Sequence, residues 1–386
     1  MQFMADKRKL IRITTVSDSL NYLLKGQLRF LSFYFDVIAI GSDNNSGQLK
    51  EVEEREGVHC IDVLMYRKIS IWHDIVSLFR LINLFRKVKP CIVHTNTPKA
   101  SLLSMIAAWV THVPHRIYTV TGLRFETTTG KFHWLLVSME KITCWCATKV
   151  IPEGEGVKKT LITNGITKKK MKVLLNGNIN GVDVTHYSRS LEVMKRVENI
   201  KEEGTFNFVF VGRLVKDKGI NELVIAFSKL SVIYSDIRLH LIGNFERELD
   251  PLREDVEKKI EEEKTIVTWG FQSDVRPFFA ASDVLVFPSY REGFPNVVLQ
   301  AGAMGLPSIV TDISGCNEII QERVNGKIIP PQNEEALYEA MKWFYEHRNG
   351  EVREMAKCAR PIIIERYEQH KVWNALLEEY QTLINL

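Results

Sequence analysis

Cysteine is scarce and scattered in this 386-residue sequence: six residues, none in a Cys-x-x-Cys pair. That excludes a disulfide-stapled scaffold and offers no zinc-site spacing. Cys144 and Cys146 stand close together, but no His or Cys cluster lies beside them. They read as thiols facing a core in a reducing, cytosolic setting. Long apolar runs are missing as well. The longest, 30–40 and 102–110, fall short of the ~18 residues that span a bilayer. No secretory leader is expected, because residues 1–10 are charged and run straight into a strand-like segment.

What is present is the composition of a water-soluble globular chain, 45% hydrophobic and 25% charged, and too long for one ordinary core. Charge is distributed unevenly. Residues 1–190 carry 27 Lys+Arg against 15 Asp+Glu (+12), and 191–386 carry 24 against 32 (−8), which together make the net +4. A basic first half implies an anionic partner, such as a phosphate-bearing lipid or a membrane surface. Nucleic acid is not expected, since no base-reading module with interleaved aromatics is recognisable.

Apolar runs at 10–16, 36–41, 58–64, 91–94, 116–120 and 149–151 are short and bounded by turn residues. Helical patterns such as 71–89 and 99–111 lie between them. This alternation predicts an α/β fold with a parallel sheet covered on both faces. The pattern lapses over 183–205, a charged stretch without an apolar run. It resumes with strands at 206–214, 237–243, 265–269, 284–288, 308–311 and 327–329, and helices at 219–230, 249–263 and 275–280. The expectation is two Rossmann-like doubly wound domains, 1–190 and 191–368, facing across a cleft, because ligands bind beyond the carboxyl ends of such strands. Residues 369–386 hold a last helix with Val372, Trp373, Leu376, Leu377, Tyr380 and Leu383 at helical spacing. It either packs on the second domain or crosses back to the first.

Two segments carry chemistry. In Val209-Phe-Val-Gly-Arg-Leu-Val-Lys-Asp-Lys-Gly219 a strand ends in a Gly turn, followed by Arg213 and Lys218 where a helix begins. Gly212 allows close backbone approach, the helix start adds N–H groups, and the two cations suit a diphosphate. In Arg291-Glu-Gly-Phe-Pro-Asn-Val-Val-Leu-Gln300 a Gly/Pro loop runs into a short helix. Glu292 sits at the loop tip, Asn296 is a candidate helix cap, and Phe294, Pro295, Asn296 and Val297 can present backbone N–H groups. Gln300 adds an amide with one acceptor and two donor hydrogens.

Together these segments resemble the donor-binding signatures of the retaining glycosyltransferases with two Rossmann-like domains, the family-4 group of the GT-B architecture. The resemblance covers nearly the whole chain. Leu175-Asn-Gly-Asn-Ile-Asn-Gly-Val-Asp183 is similar to that family's Asn-Gly-Val-Asp element at the end of the first domain, and Gly315-Cys-Asn-Glu318 to its Gly-x-x-Glu element. Tyr22-Leu-Leu-Lys-Gly-Gln27, His94-Thr-Asn-Thr-Pro-Lys99 and Thr119-Val-Thr-Gly-Leu-Arg-Phe125 resemble a bacterial subgroup that builds capsule, O-antigen and related glycans on undecaprenyl diphosphate.

The resemblance implies an acceptor-binding first domain and a nucleotide-sugar-binding second domain. Arg213 and Lys218 would neutralise the diphosphate leaving group, with Glu292 beside the donor sugar. Gly212, Phe294, Pro295, Asn296 and Val297 would lie along the donor, and Gln300 would hold the ribose. Gly26, His94, Thr121 and Arg124 would belong to the acceptor side and cleft, although His94 suits a purely structural role equally well. Two positions depart from the pattern. Gln300 stands where many members have Glu, and an amide cannot titrate. Thr121-Gly122 stands where many have His-Gly, which removes a His contact to the sugar. No Asp-x-Asp occurs anywhere, so the metal-chelating motif of the other main glycosyltransferase architecture is missing and no essential metal or other cofactor is expected. The implied partners are a nucleotide diphosphate sugar, a lipid-linked saccharide and the cytoplasmic face of the bacterial membrane, touched peripherally. The competing readings are a nucleotide-sugar epimerase and a catalytically silent nucleotide-sugar-binding subunit.

Overall fold

Strands buried on both faces need helices on both sides, and each half of the chain is built that way. The computed structural model describes residues 7–66, 70–248 and 250–385. One unit holds the chain up to Asn180 together with His370 onward, and the other is Gly181–Gln369.

The first unit has a six-stranded parallel sheet of β1 (Lys9–Val16), β2 (Asp36–Ser42), β3 (His59–Asp62), β4 (Ile92–Thr95), β5 (His115–Val120) and β6 (Lys149–Pro152), in the order β3-β2-β1-β4-β5-β6. The second repeats the plan with β7 (Phe206–Val211), β8 (Ile237–Ile242), β9 (Ile266–Thr268), β10 (Val284–Phe287), β11 (Ser308–Thr311) and β12 (Gly326–Ile329), ordered β12-β11-β10-β7-β8-β9. In each sheet the order reverses beside the first strand. The loops leaving β1 and β4, and those leaving β7 and β10, therefore diverge and open a crevice at their carboxyl ends.

The structure places the division earlier than the 190 read from the sequence. The charged stretch 183–205, where the pattern lapses, is part of the second unit. It contains a helix, Leu191–Val197, whose Ser190 cap accepts the Val193 N–H at 3.4 Å. Arg189 ties the stretch down by donating to the carbonyls of Met304 (3.0 Å) and Ala280 (3.1 Å). Buried Val193 and the partly buried Val184, Tyr187, Val197 and Ile200 make the apolar contact, too scattered to show as a run. The charged helix expected at 249–263 spans Glu254–Glu262, beyond Pro251. Leu249 lies outside the described residues.

The last helix, Gln369–Asn385, packs within the first unit from His370 on. Its Leu376, Leu377 and Tyr380 join a core with Leu10, Leu28, Ile92 and Ile117. Beneath them Arg12 is fully buried without a carboxylate; it donates to Gln27 Oε1 at 3.0 Å and the Tyr380 hydroxyl at 3.1 Å, and reaches His94 Nδ1. The Trp373 indole donates to Asn180 Oδ1 at 2.7 Å, and Gln27 donates to the Ile179 carbonyl at 2.8 Å. Asn180 belongs to the Asn-Gly-Val-Asp element, so that element fastens the end of the first unit to the last helix.

A buried guanidinium that loses an acceptor loses stability. Tyr380→Phe should cost about 1–3 kcal/mol, read as a lower urea midpoint. An unchanged midpoint would show that the Tyr380 hydroxyl stabilises nothing.

Candidate active site

At the switch point of the second sheet, the loop after β7 and the loop after β10 meet through a charge pair. Lys218 Nζ contacts Glu292 Oε1, and both side chains are largely buried, at 17% and 16% exposure. Fully buried Ser289, at the end of β10, donates its hydroxyl to the same Glu292 oxygen at 2.7 Å. The Lys218 ammonium also lies over the Phe287 ring, 5.3 Å from its centre. Arg213, half exposed, is held by Glu246 at 2.7 Å from the loop after β8. Arg213 and Lys218 thus each have their own carboxylate. Tyr290 and Ser289 clamp the two loops together, with the Tyr290 N–H donating to the Asp217 carbonyl at 2.9 Å.

Glycines make these approaches feasible. Gly219 has φ +72°, and a Cβ there would lie 2.1 Å from the Pro288 carbonyl oxygen. Gly315 has φ +76°, and its Cβ would meet the Gly293 oxygen at 2.5 Å and Phe294 Cα at 2.7 Å. The Gly-x-x-Glu element therefore presses its backbone against the Glu292 loop. Its Glu318 carboxylate accepts the Gly315 N–H at 3.2 Å. A Cβ on Gly212 would meet the Phe210 ring at 3.1 Å, and one on Gly243, just past β8, would stand 1.9 Å from the Gly212 oxygen.

Several expected residues have different neighbours from those the sequence suggested. Asn296 is the first residue of the helix Asn296–Ala303, not its cap; Pro295 occupies the cap position in an extended conformation, with no side-chain cap. The Phe294 ring is buried against Tyr367 at 5.5 Å, which leaves backbone rather than ring for a ligand. Val297 and Gln300 are half-buried on the helix, and the Gln300 side chain makes no hydrogen bond among the described residues. Glu246, Ser289 and Tyr367 were missed; only Gly243 at the end of β8 hinted that this strand contributes.

In the first unit His94 is 1% exposed on β4. Arg12 can only donate, so Nδ1 is the acceptor and the ring carries its proton on Nε2, which donates to Thr119 Oγ1 at 2.7 Å. Burial, reinforced by the Arg12 charge, pushes its pKa well below the usual range, so the ring is neutral. Gly26 has φ +80°, with Trp373 where a Cβ would be (2.7 Å) and its N–H donating to Glu56 at 2.9 Å. Its backbone freedom serves packing. Thr121 donates to the Asn96 carbonyl at 2.9 Å. Arg124 is exposed and lines a cavity of about 340 Å³ beside the carboxyl ends of β1 and β4. Glu140 lines it too, buried, accepting the Tyr118 hydroxyl at 2.8 Å. Cys144 and Cys146 are buried thiols, and burial raises Cys144 to about 12.

Residues 205–347 match the family model described as Glycosyl transferases group 1, and residues 12–153 match Glycosyl transferase 4-like. The chain is 34% identical over 382 residues to the capsular polysaccharide biosynthesis glycosyltransferase CapM of Staphylococcus aureus, covering 98% of each. It is 30% identical over 276 residues to the UDP-Gal:alpha-D-GlcNAc-diphosphoundecaprenol alpha-1,3-galactosyltransferase of Escherichia coli, covering 68% of each. Anabaena HepE, solved in complex with UDP and glucose, shares the fold with a TM-score of 0.80 at 18% identity, over 97% of this chain and 100% of that one.

Glu140 supplies a test of the buried cavity wall. Burial raises its pKa from 4.5 to about 7, partly offset by Tyr118. Over that interval the folded chain keeps a proton that the unfolded chain has lost, so stability falls as pH rises and the loss is complete above about 7. The loss is up to about 3 kcal/mol. Glu140→Gln should therefore gain on the parent protein between pH 5 and pH 8 in urea midpoints. Parallel pH curves for the two would assign the effect elsewhere.

Proposed function

This chain belongs to the group 1 glycosyl transferases, and from that premise we propose that it moves a hexose or N-acetylhexosamine from a UDP-sugar to a polyprenyl-diphosphate-linked saccharide, with retention, in bacterial surface-polysaccharide assembly. The observation that carries this reading is the Lys218–Glu292 pair at the switch point of the second sheet. Support comes from the donor and acceptor named for the Escherichia coli relative, from the capsular role named for CapM, and from the UDP bound by HepE.

In the proposed reaction the bond between the anomeric carbon and the β-phosphate oxygen breaks as an acceptor hydroxyl bonds to the same face. The hydroxyl proton passes to the departing phosphate, so no side-chain base is needed. The transition state has oxocarbenium character, with negative charge growing on the phosphate. Arg213 and Lys218 stabilise that charge electrostatically. A diphosphate exchanges with Glu246 at exposed Arg213, while Ser289 keeps Glu292 in place beside the sugar. Gln300 hydrogen-bonds the ribose, and no metal is needed.

We place the protein at the cytoplasmic face of the membrane. No helix among the described residues is long and apolar enough to cross one. The helix Ile71–Val88 exposes Ile71, Trp72, Ile75 and Phe79 on one stripe beside Arg80, Arg86 and Lys87. Such a face suits the interface of an anionic bilayer.

A thermal-shift screen of nucleotide sugars, then mass spectrometry with a lipid-diphosphate sugar, tests the assignment. Glu292→Ala should lower kcat at least about 100-fold, Gln300→Glu should keep donor binding, and EDTA should leave the rate unchanged. Loss of donor binding in Gln300→Glu would remove the ribose role. Loss of activity in EDTA restored by Mg²⁺ would remove the metal-free mechanism. Anionic vesicles should co-sediment the protein at low salt, and Trp72→Ser with Phe79→Ser should weaken this; a protein that ignores such vesicles has no direct membrane contact.

A further inference from the structure

The cavity in the first unit has no part in the chemistry above, yet its walls are specific. One wall is the helix Gly130–Cys146, through Leu136, Met139 and Thr143; another is the start of the helix Pro98–Val110; Phe125 closes it. These walls are mainly apolar. Its charged groups are not equivalent. Lys99 is paired with Asp74 at 2.8 Å, and buried Glu140 holds the Tyr118 hydroxyl. Exposed Arg124 makes no ion pair among the described residues, so it is the cation left to meet an anion. The first turn of the Pro98–Val110 helix lines the same cavity with its N–H groups already in use, Ala100 donating to Thr15 Oγ1 at 3.2 Å and Ser101 to the Thr97 carbonyl at 2.8 Å. The site is therefore an apolar hole with one positive rim.

The surroundings point to where an occupant comes from. The helix that supplies Leu136 and Met139 exposes Phe132 (41%), Trp134 (69%) and Leu135 (46%) in its first turns. Asp74, which pins Lys99, lies in the first turn of the helix that exposes Ile71 and Trp72. Bilayer-seeking side chains thus sit on the same two helices that build or brace the cavity. His133, between Phe132 and Trp134, contacts the Phe125 carbonyl through Nδ1 at 3.0 Å, which fastens that helix to the Arg124 turn.

We propose that this cavity seats the first isoprene units of a polyprenyl diphosphate, with the diphosphate held by Arg124 at its rim. The assignment rests on the lipid-linked acceptor proposed above and adds where its lipid end is held. It makes the first unit a reader of the lipid carrier as well as of the saccharide.

Calorimetric titration of the full chain with geranyl diphosphate tests it, against inorganic diphosphate, geraniol and a short-chain phosphatidic acid. Geranyl diphosphate should bind saturably and at least about tenfold more tightly than each of the others, since apolar and ionic contacts are both needed. Equal binding of inorganic diphosphate or of the phosphatidic acid would overturn the isoprenyl assignment. Filling the cavity with Leu136→Trp, or more gently with Met139→Phe, should raise KM for a polyprenyl-diphosphate sugar about tenfold. The same variants should keep kcat on a water-soluble glycoside acceptor, which also shows that they fold. If the parent protein glycosylates the lipid acceptor and both variants do so with unchanged KM, the cavity proposal falls and the transferase reading stands. If the parent protein glycosylates no lipid acceptor yet binds geranyl diphosphate saturably, the transferase reading falls and the cavity remains a lipid-anion site.

Discussion

Lys218 and Glu292 lie 74 positions apart and on loops from different strands, yet their contact organises the second unit's site. The ammonium is neutralised inside a largely buried crevice, and the carboxylate is oriented by Ser289 from below. Neither charge would be tolerated there alone, because an unpaired ion in such surroundings loses hydration without recompense. The pair therefore fixes where the β7 and β10 loops run. Gly219 against Pro288 and Gly315 against Gly293 are the backbone consequences of that closeness. Arg213, held only by Glu246 at a more exposed position, is the cation with freedom to change partners.

The first unit follows a different logic. Its fully buried cation, Arg12, has neutral acceptors instead of a carboxylate, and they come from β4, from Gln27 at the start of the helix Gln27–Ser32 and from the last helix. This draws the C-terminal helix into the N-terminal unit and keeps His94 buried. A residue that looks catalytic by type is here a neutral hydrogen-bond bridge. The polar chemistry of the unit shifts to the cavity edged by Arg124 and Glu140.

The two units also gather different side chains. In the second, charged side chains and tight backbone turns gather at a switch point, which suits a diphosphate and its sugar. In the first, apolar walls and exposed aromatics stand beside Arg124, which makes no ion pair among the described residues and suits an amphiphilic anion. The +12 balance of the first half fits the same division.

The strand and helix order, the doubly wound plan and the two donor segments were legible in the sequence because they are local: short apolar runs, Gly at strand ends, and cations just after a strand. Strand positions agree to within a few residues, as for 308–311 and β11. The segment 183–205 was illegible because one buried valine, scattered partly buried side chains and several arginine-to-carbonyl bonds leave no periodic trace. The asparagine cap gave way to Pro295, since the two residues differ by one position and sequence patterns do not resolve that. Which carboxylate faces which cation, which side the last helix takes and whether His94 meets solvent were decided only by tertiary structure. Those outcomes depend on residues far apart in the chain competing for the same buried space, and no local pattern encodes the result of that competition.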